Sequence, residues 1–218
     1  MKLVWCPDTA SKAYIDTVKS CEAFKGSDVA ELVSAMAGGW KPQLIVETWY
    51  HGTTITTSVG LAVARRHTSG RHVCVVPDEE TRSDYIEQMH EASGISPEVV
   101  VGEVEEVMSA LVGVDFLVVD CMYKDFTKIL KLVKLSDKGA ILVCKNSSPR
   151  SYSSFRWRNV IDSGSHIVRS AYLPVGNGIQ ISHVATSKAK IIQEKVASRW
   201  IRHMDEVSGE EHVYRRRL

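Results

Sequence analysis

Two kinds of hydrophobic spacing divide this chain. Over the first forty residues apolar positions recur at helical intervals. Tyr14, Val18 and Cys21 fall at i, i+4 and i+7, with Thr9 or Ser11 as the cap. Val29, Leu32, Val33 and Met36 mark a second helix opened by Ser27 or Asp28 and expected to end at Gly38-Gly39. From Gln43 the spacing changes. Short apolar runs appear at QLIVET (43–48), HVCVV (72–76), EVVVG (98–102), DFLVVD (115–120) and GAILVC (139–144). They are rich in Val and Ile and apolar on both faces, as strands covered on both sides must be. Helical stretches separate them at Thr54–His67, Glu80–Ala92, Glu103–Leu111 and Phe126–Leu135. Such alternation predicts βαβ units, and right-handed crossovers then give a parallel sheet with helices on both faces.

The last part breaks the rule. HIVRSAYL (166–173) and IQISHVA (179–185) flank a five-residue turn, Pro174 to Gly178, too short for a helix. The two runs predict a hairpin, so the final strand must run antiparallel to a neighbour. A closing helix over Lys188–His203 and a charged tail ending YRRRL complete the expected order. The domain reading is N-terminal helices at 1–40 packed on a main domain at 41–203, then a tail at 204–218.

Composition narrows the class. Apolar residues make up 44% and charged residues 24%, which suits a globular core. Lys+Arg number 27 and Asp+Glu 26, a net charge of +1, so no basic field gathers nucleic acid. The start, MKLVWCPDTASK, does not read as a signal peptide, and no apolar run is long enough to span a membrane. Five cysteines without a C-x-x-C pair read as buried thiols of a cytoplasmic protein. The expected partner is a small molecule, not nucleic acid or membrane; where the chain self-associates, a homodimer is expected.

In a doubly wound sheet, ligands bind outside the carboxyl ends of the strands, at the switch point. Glu47 stands next to the end of the first run, Asp78 and Glu79 follow the second, Glu103 the third, and Asp120 ends the fourth. Carboxylates there accept from ribose hydroxyls, adenine N6 or a ligand ammonium; alternatively each caps the helix that follows. Four in register favour a nucleoside-type site. The first loop carries only Gly52 and Gly60, without a G-x-G-x-x-G or a phosphate-binding G-x-x-x-x-G-K-[ST]. A ligand without pyrophosphate fits it better. Thr53, Thr54, Thr56, Thr57 and Ser58 supply ligand hydroxyls or cap the next helix.

The run Leu173 to Ile179, LPVGNGI, closely resembles the L-P-[VI]-G-D-G-[IL] element of caffeoyl-CoA O-methyltransferase-like enzymes. Glu47 falls where those enzymes carry the acid of their first motif, GEVE (102–105) resembles the adenine loop, and FLVVD (116–120) the fourth-strand motif. Over its length the chain resembles a plant family of unknown function inside the S-adenosylmethionine-dependent methyltransferase superfamily. ETWYHGTTITTSVGLAVARRH, RHVCVVPDEETRSDY, VDFLVVDC, KGAILVCKN and SGEEHVYRR carry that likeness. The resemblance implies a class I methyltransferase-like Rossmann fold: a seven-stranded, mostly parallel sheet with a C-terminal antiparallel hairpin, in order 3-2-1-4-5-7-6. It implies S-adenosylmethionine as cofactor, held by Glu47, Gly52, Asp78, Glu79 and Glu103, and methyl transfer to an oxygen or nitrogen of a small molecule. The alternative is a non-catalytic relative acting as a ligand sensor or protein-interaction module.

Two departures from that pattern stand out. Trp49 occupies the place of the first glycine of E-x-G-x-x-x-G. Pointed into the crevice, its indole would block the methionine moiety; outward packing against a helix is the expectation, because the indole has a large apolar area to bury. The catechol-type metal ligands are an Asp after the fourth strand and Asp-Asn after the fifth. Asp120 and Asn146 match two of them, but Lys145 puts an ammonium at the third. No metal is therefore expected. Asp120, Lys145 and Asn146 are the candidate catalytic residues, with Lys145 orienting an anionic oxygen or acting as a base; a purely structural Asp120–Lys145 pair is the other reading. In SSPRSYSSFRWR (147–158), Arg150, Arg156 and Arg158 interleave with Tyr152, Phe155 and Trp157, either as a substrate lid or as a connector with its aromatics packed down.

Overall fold

The Val- and Ile-rich runs form the middle of one sheet, and their neighbours in sequence cover it. A computed structural model describes residues 5–95, 97–123, 126–147, 156–162, 164–186, 200–204 and 211–215. Helices α1 (Pro7–Ser20) and α2 (Asp28–Trp40) precede β1 (Leu44–Thr48), α3 (Thr56–Thr68), β2 (Arg71–Val76), α4 (Glu79–Ser93) and β3 (Glu98–Val101). Then come α5 (Val104–Ala110), β4 (Val112–Val114), β5 (Phe116–Asp120), α6 (Phe126–Leu132), β6 (Lys134–Leu135) and β7 (Ala140–Lys145). A single 3-10 turn at Trp157–Asn159 leads to β8 (Ser165–Leu173) and β9 (Ile179–Thr186). The seven-stranded sheet has the order β3-β2-β1-β5-β7-β9-β8. All pairings from β3 to β7 are parallel, whereas β9 runs antiparallel to both β7 and β8. This is the expected order, with the switch point between β1 and β5.

Alternation along the strands separates two cores. Ile45, Phe116, Val118, Ile141 and Val143 meet α1, α2 and α3 on one face. Val46, Leu117, Val119, Leu142 and Cys144 meet α5, α6 and Trp157 on the other. Asp115 interrupts the apolar run before β5, and its buried carboxylate accepts from the backbone N–H groups of Gln43 and Leu44, both at 2.9 Å. It thereby fixes the start of β1.

Four local expectations differ from the structure. Helix α1 begins at Pro7, ahead of Thr9 and Ser11, because a proline at the first helical position needs no N–H partner. Its buried stripe is Thr9, Ala10, Ala13 and Thr17, while Tyr14 and Val18 are exposed. Second, Gly38 and Gly39 do not end α2, which runs on to Trp40. A Cβ at Gly38 would lie 2.7 Å from the Thr9 carbonyl oxygen, so the glycine serves the close approach of α1, and a side chain there would force the two helices apart. Third, the stretch expected as one helix to Leu135 ends at Leu132, and β6 pairs with β4 as a small parallel ribbon.

Fourth, of the helix expected over Lys188–His203, residues 188–199 lie outside the described residues, and Trp200–Met204 is a strand, β10. It pairs antiparallel with β11 (Glu211–Arg215), inside the stretch expected as a tail. Short apolar runs cannot be assigned to helix or strand by spacing alone. Among the described residues no helix is long and apolar enough to cross a membrane.

Candidate functional site

The carboxyl ends of β1, β2, β3, β5 and β7 lie along one edge, and the loops leaving them carry the candidate residues. Asp120, Lys145 and Asn146 come together there. Asp120 and Lys145 are register partners at the ends of adjacent parallel strands. Lys145 Nζ lies 3.7 Å from Asp120 Oδ2, and both side chains are buried. The second Asp120 oxygen accepts from the Met122 N–H at 2.9 Å, and Asn146 Nδ2 donates to Oδ2 at 2.7 Å. Asn146 holds a left-handed backbone, φ 55°, which an Asn tolerates better than most residues. The Asn146 side-chain oxygen Oδ1 accepts from Asn177 Nδ2 of the hairpin turn at 3.2 Å.

That turn is anchored on both sides. The Ser147 N–H donates to the Gly178 carbonyl at 2.9 Å, and the Gly176 N–H donates to Asp28 at 3.2 Å. Gly178 has φ 91°, and a Cβ there would lie 2.6 Å from the Ser147 carbonyl oxygen. LPVGNGI is therefore a brace that holds Asn146 against Asp120.

Glu47 is elsewhere. It was expected to line a crevice with Asp78 or Glu79 and Glu103, but its carboxylate lies within the core, on the α3–α4 side of the sheet. Ser58 donates to Oε2 at 2.8 Å, while His72 Nε2 and the Tyr85 hydroxyl each donate to Oε1 at 2.9 Å. Burial pushes this carboxyl up. The bonds from His72 and Ser58, with the His72 and Lys145 charges, outweigh burial and hold it below the usual carboxylate range. With three donors satisfied inside the protein, Glu47 is a core hub. The same network pushes the buried Tyr85 hydroxyl well up, through burial first and the Glu47 charge second.

The remaining acids stay at the edge. Asp78 caps α4, accepting from the Thr81 N–H at 2.7 Å, and this bond lowers its carboxyl. Glu79 opens the same helix and pairs with Arg82 at 3.0 Å. Asp78 therefore takes the capping role that the sequence left open, while Glu79 is an exposed acid of the first turn. Glu103 stands at the N-cap of α5, exposed, and makes no capping bond. Gly52 has φ 81°, and a Cβ there would meet no atom within 4 Å, so the backbone of this turn is open to a ligand.

Trp49 packs outward, as expected. Its indole is fully buried beside Val59, Cys74 and Met89 and meets Tyr85 edge to face, with centroids 5.3 Å apart. What spans the crevice instead is a pair absent from the sequence reading. Tyr50, two residues past β1, stacks on Tyr123, three past β5, with ring centroids 3.4 Å apart and planes 16° from parallel. Tyr123 also donates to the His51 carbonyl at 3.4 Å. Tyrosines in two loops 73 positions apart carry no local signal of pairing; only the adjacency of β1 and β5 brings them together.

Of the Arg–aromatic segment, residues 148–155 lie outside the described residues; Trp157 is packed into the core. A separate cavity of about 480 Å³ lies at the opposite, amino-terminal edge, lined by Leu130, Leu135, Leu142 and Ile161 among others. It is remote from the cluster above. Among the described residues no group of three or more His, Cys, Asp or Glu is placed to hold a metal ion.

No curated protein matches the chain. Its structure is similar to that of a methyltransferase from Geobacter sulfurreducens, at TM-score 0.54 and 20% identity, covering 80% of this chain and 88% of that one. It is also similar to the SAH-bound methyltransferase PaMTH1 of Podospora anserina, at TM-score 0.55 and 16% identity, covering 84% and 89%. An O-methyltransferase from Bacillus cereus in complex with SAH gives TM-score 0.50 and 15% identity, covering 84% and 93%. At these identities the likeness shows the fold, which is the class I methyltransferase fold. Residues 1–216 match the family described as "Protein of unknown function (DUF1442)", and the chain belongs to that family.

Proposed function

We propose that the chain is an S-adenosylmethionine-dependent methyltransferase that acts on a small molecule without a metal. The observation that carries this reading is the Asp120–Lys145–Asn146 cluster at the carboxyl ends of β5 and β7, beside the switch point where this fold binds ligands. The likeness to SAH-bound structures supports the cofactor.

The edge fits such a donor at its adenosine end. Glu103 offers an uncapped carboxylate after β3, and Gly52 an unobstructed turn after β1. When bound, S-adenosylmethionine supplies an electrophilic methyl group on a sulfonium. Glu103 accepts from hydroxyl or amino groups of the adenosine. Asp78 stays committed to the first turn of α4. On the acceptor side, Lys145 supplies a fixed positive charge that holds an anionic oxygen or a polarised nucleophile. Asp120 holds Lys145 in place, and Asn146, braced by Asn177, borders the acceptor. Catalysis is then chiefly positioning of two reactants. The five free cysteines support placing the protein in a reducing compartment such as the cytoplasm.

Calorimetric titration with S-adenosylhomocysteine tests the reading. Saturable binding is expected, and Glu103→Ala should weaken it by about 1.5–3 kcal/mol, the value of a hydrogen bond to a charged group. If the protein binds neither S-adenosylmethionine nor its product, the methyltransferase reading fails and a non-catalytic role takes its place. Methyl transfer should also persist in EDTA, because the Lys145 ammonium stands where a third metal ligand would be needed. Activity abolished by the chelator and restored by Mg²⁺ would show that Lys145 does not replace the metal.

A further inference from the structure

The switch-point crevice has two walls, the loop after β1 and the loop after β5. In this chain the walls are joined. The Tyr50 and Tyr123 rings lie in face-to-face contact across them, and the Tyr123 hydroxyl reaches the His51 carbonyl on the opposite wall. Each wall is also tied at its outer side. His51 Nδ1 bonds Asp84 of α4 at 2.7 Å, and Tyr123 follows directly on the turn whose Met122 N–H bonds Asp120. Behind the stack, Asp120 and Lys145 are almost wholly out of solvent. A donor's amino-acid end and an acceptor beside Lys145 both require room between these walls.

We propose that the Tyr50–Tyr123 stack is a latch that holds the donor crevice closed and separates when ligand enters. The inference rests on the methyltransferase reading of the same edge. The latch is a two-state element: rings stacked and walls joined, or rings apart and crevice open. Ligand binds only the open state, so its apparent affinity is reduced by the open fraction. An offset or stacked aromatic contact of this kind shifts the population by about two- to tenfold. Separation also exposes Lys145 to the acceptor, so one movement opens the donor's place and uncovers the charge that holds the nucleophile. Met122, exposed at the tip of the second wall, places a flexible apolar side chain where an entering ligand would first meet the protein.

The test combines two readouts on Tyr50→Ala, Tyr123→Ala and Tyr123→Phe. The first is hydrogen exchange of the unliganded protein, followed at peptides spanning 49–54 and 119–123. Removing either ring should raise exchange in both loops, since each wall holds the other, and Tyr123→Phe should keep most of the protection because it keeps the stack. A variant that loosens only its own loop would overturn the latch, whether or not any ligand binds. The second readout is calorimetry with S-adenosylhomocysteine. Either alanine variant should bind about two- to tenfold more tightly than the unmodified protein. Weaker binding by the alanine variants would show that the rings contact the ligand and would overturn the latch while leaving the methyltransferase reading intact. If no form binds, that reading fails, and hydrogen exchange alone decides whether the two loops are latched.

Discussion

Trp49→Gly is expected to cost about 3–5 kcal/mol of folding stability, the range for removing a large aromatic from a packed core. The indole has no exposed surface and fills the space between β2, α3 and α4, against Val59, Cys74, Tyr85 and Met89. The structure cannot easily close over the vacancy, because Tyr85 is itself pinned through its hydroxyl to Glu47. Glycine adds backbone freedom to the unfolded chain and so increases the loss. The indole N–H makes no hydrogen bond, so the loss is one of packing. Because Trp49 points away from the crevice, the substitution should leave affinity for S-adenosylhomocysteine unchanged in whatever fraction remains folded. Urea unfolding measures the first effect and calorimetry below the unfolding temperature the second. A Trp49→Gly protein of normal stability and increased affinity would show that the indole had been blocking the donor.

Glu47→Ala should be as costly, about 3–5 kcal/mol, because it leaves the buried His72, Ser58 and Tyr85 donors without their common acceptor. Glu47→Gln keeps the shape and one acceptor oxygen and should cost less. The pH dependence follows from the direction of the shift. The folded carboxyl is held below its ordinary value. Its contribution is therefore fully present above the unfolded value of about 4.3 and is lost as pH falls through the lower, folded one. In acid, the difference in stability between the native protein and Glu47→Gln should shrink. A difference that stays constant from pH 7 to pH 3 would mean that the hub carries no depressed carboxyl.

The fold was largely legible in the chain. Val- and Ile-rich runs spaced by helical stretches specify a parallel sheet, because a strand covered on both faces must be apolar on both. The short PVGNG turn admits no helix and so forces the antiparallel hairpin. Less was legible where small residues pack. Gly38 looks like a helix terminator in sequence, yet it lies inside α2 because α1 approaches its backbone.

For the site, sequence alone determined which residues stand at the carboxyl ends of the strands, since strand ends are set by local pattern. It thus brought Asp120, Lys145 and Asn146 to one edge and exposed the loss of the first-motif glycine at Trp49. Tertiary structure alone decided what each of them faces. Glu47 and Glu103 both sit at strand ends, but Glu47 meets a buried imidazole, a serine and a tyrosine drawn from β2, α3 and α4, whereas Glu103 meets solvent. Asp78 became a cap because it immediately precedes α4 and stands three residues before Thr81, whose N–H it accepts. Tyr50 and Tyr123 became partners because β1 and β5 are neighbours in space and not in sequence. Periodicity records which side of an element is apolar; it does not record which distant side chains share a carboxylate or a ring face. Those pairings are fixed only when the strand order and helix packing close around them.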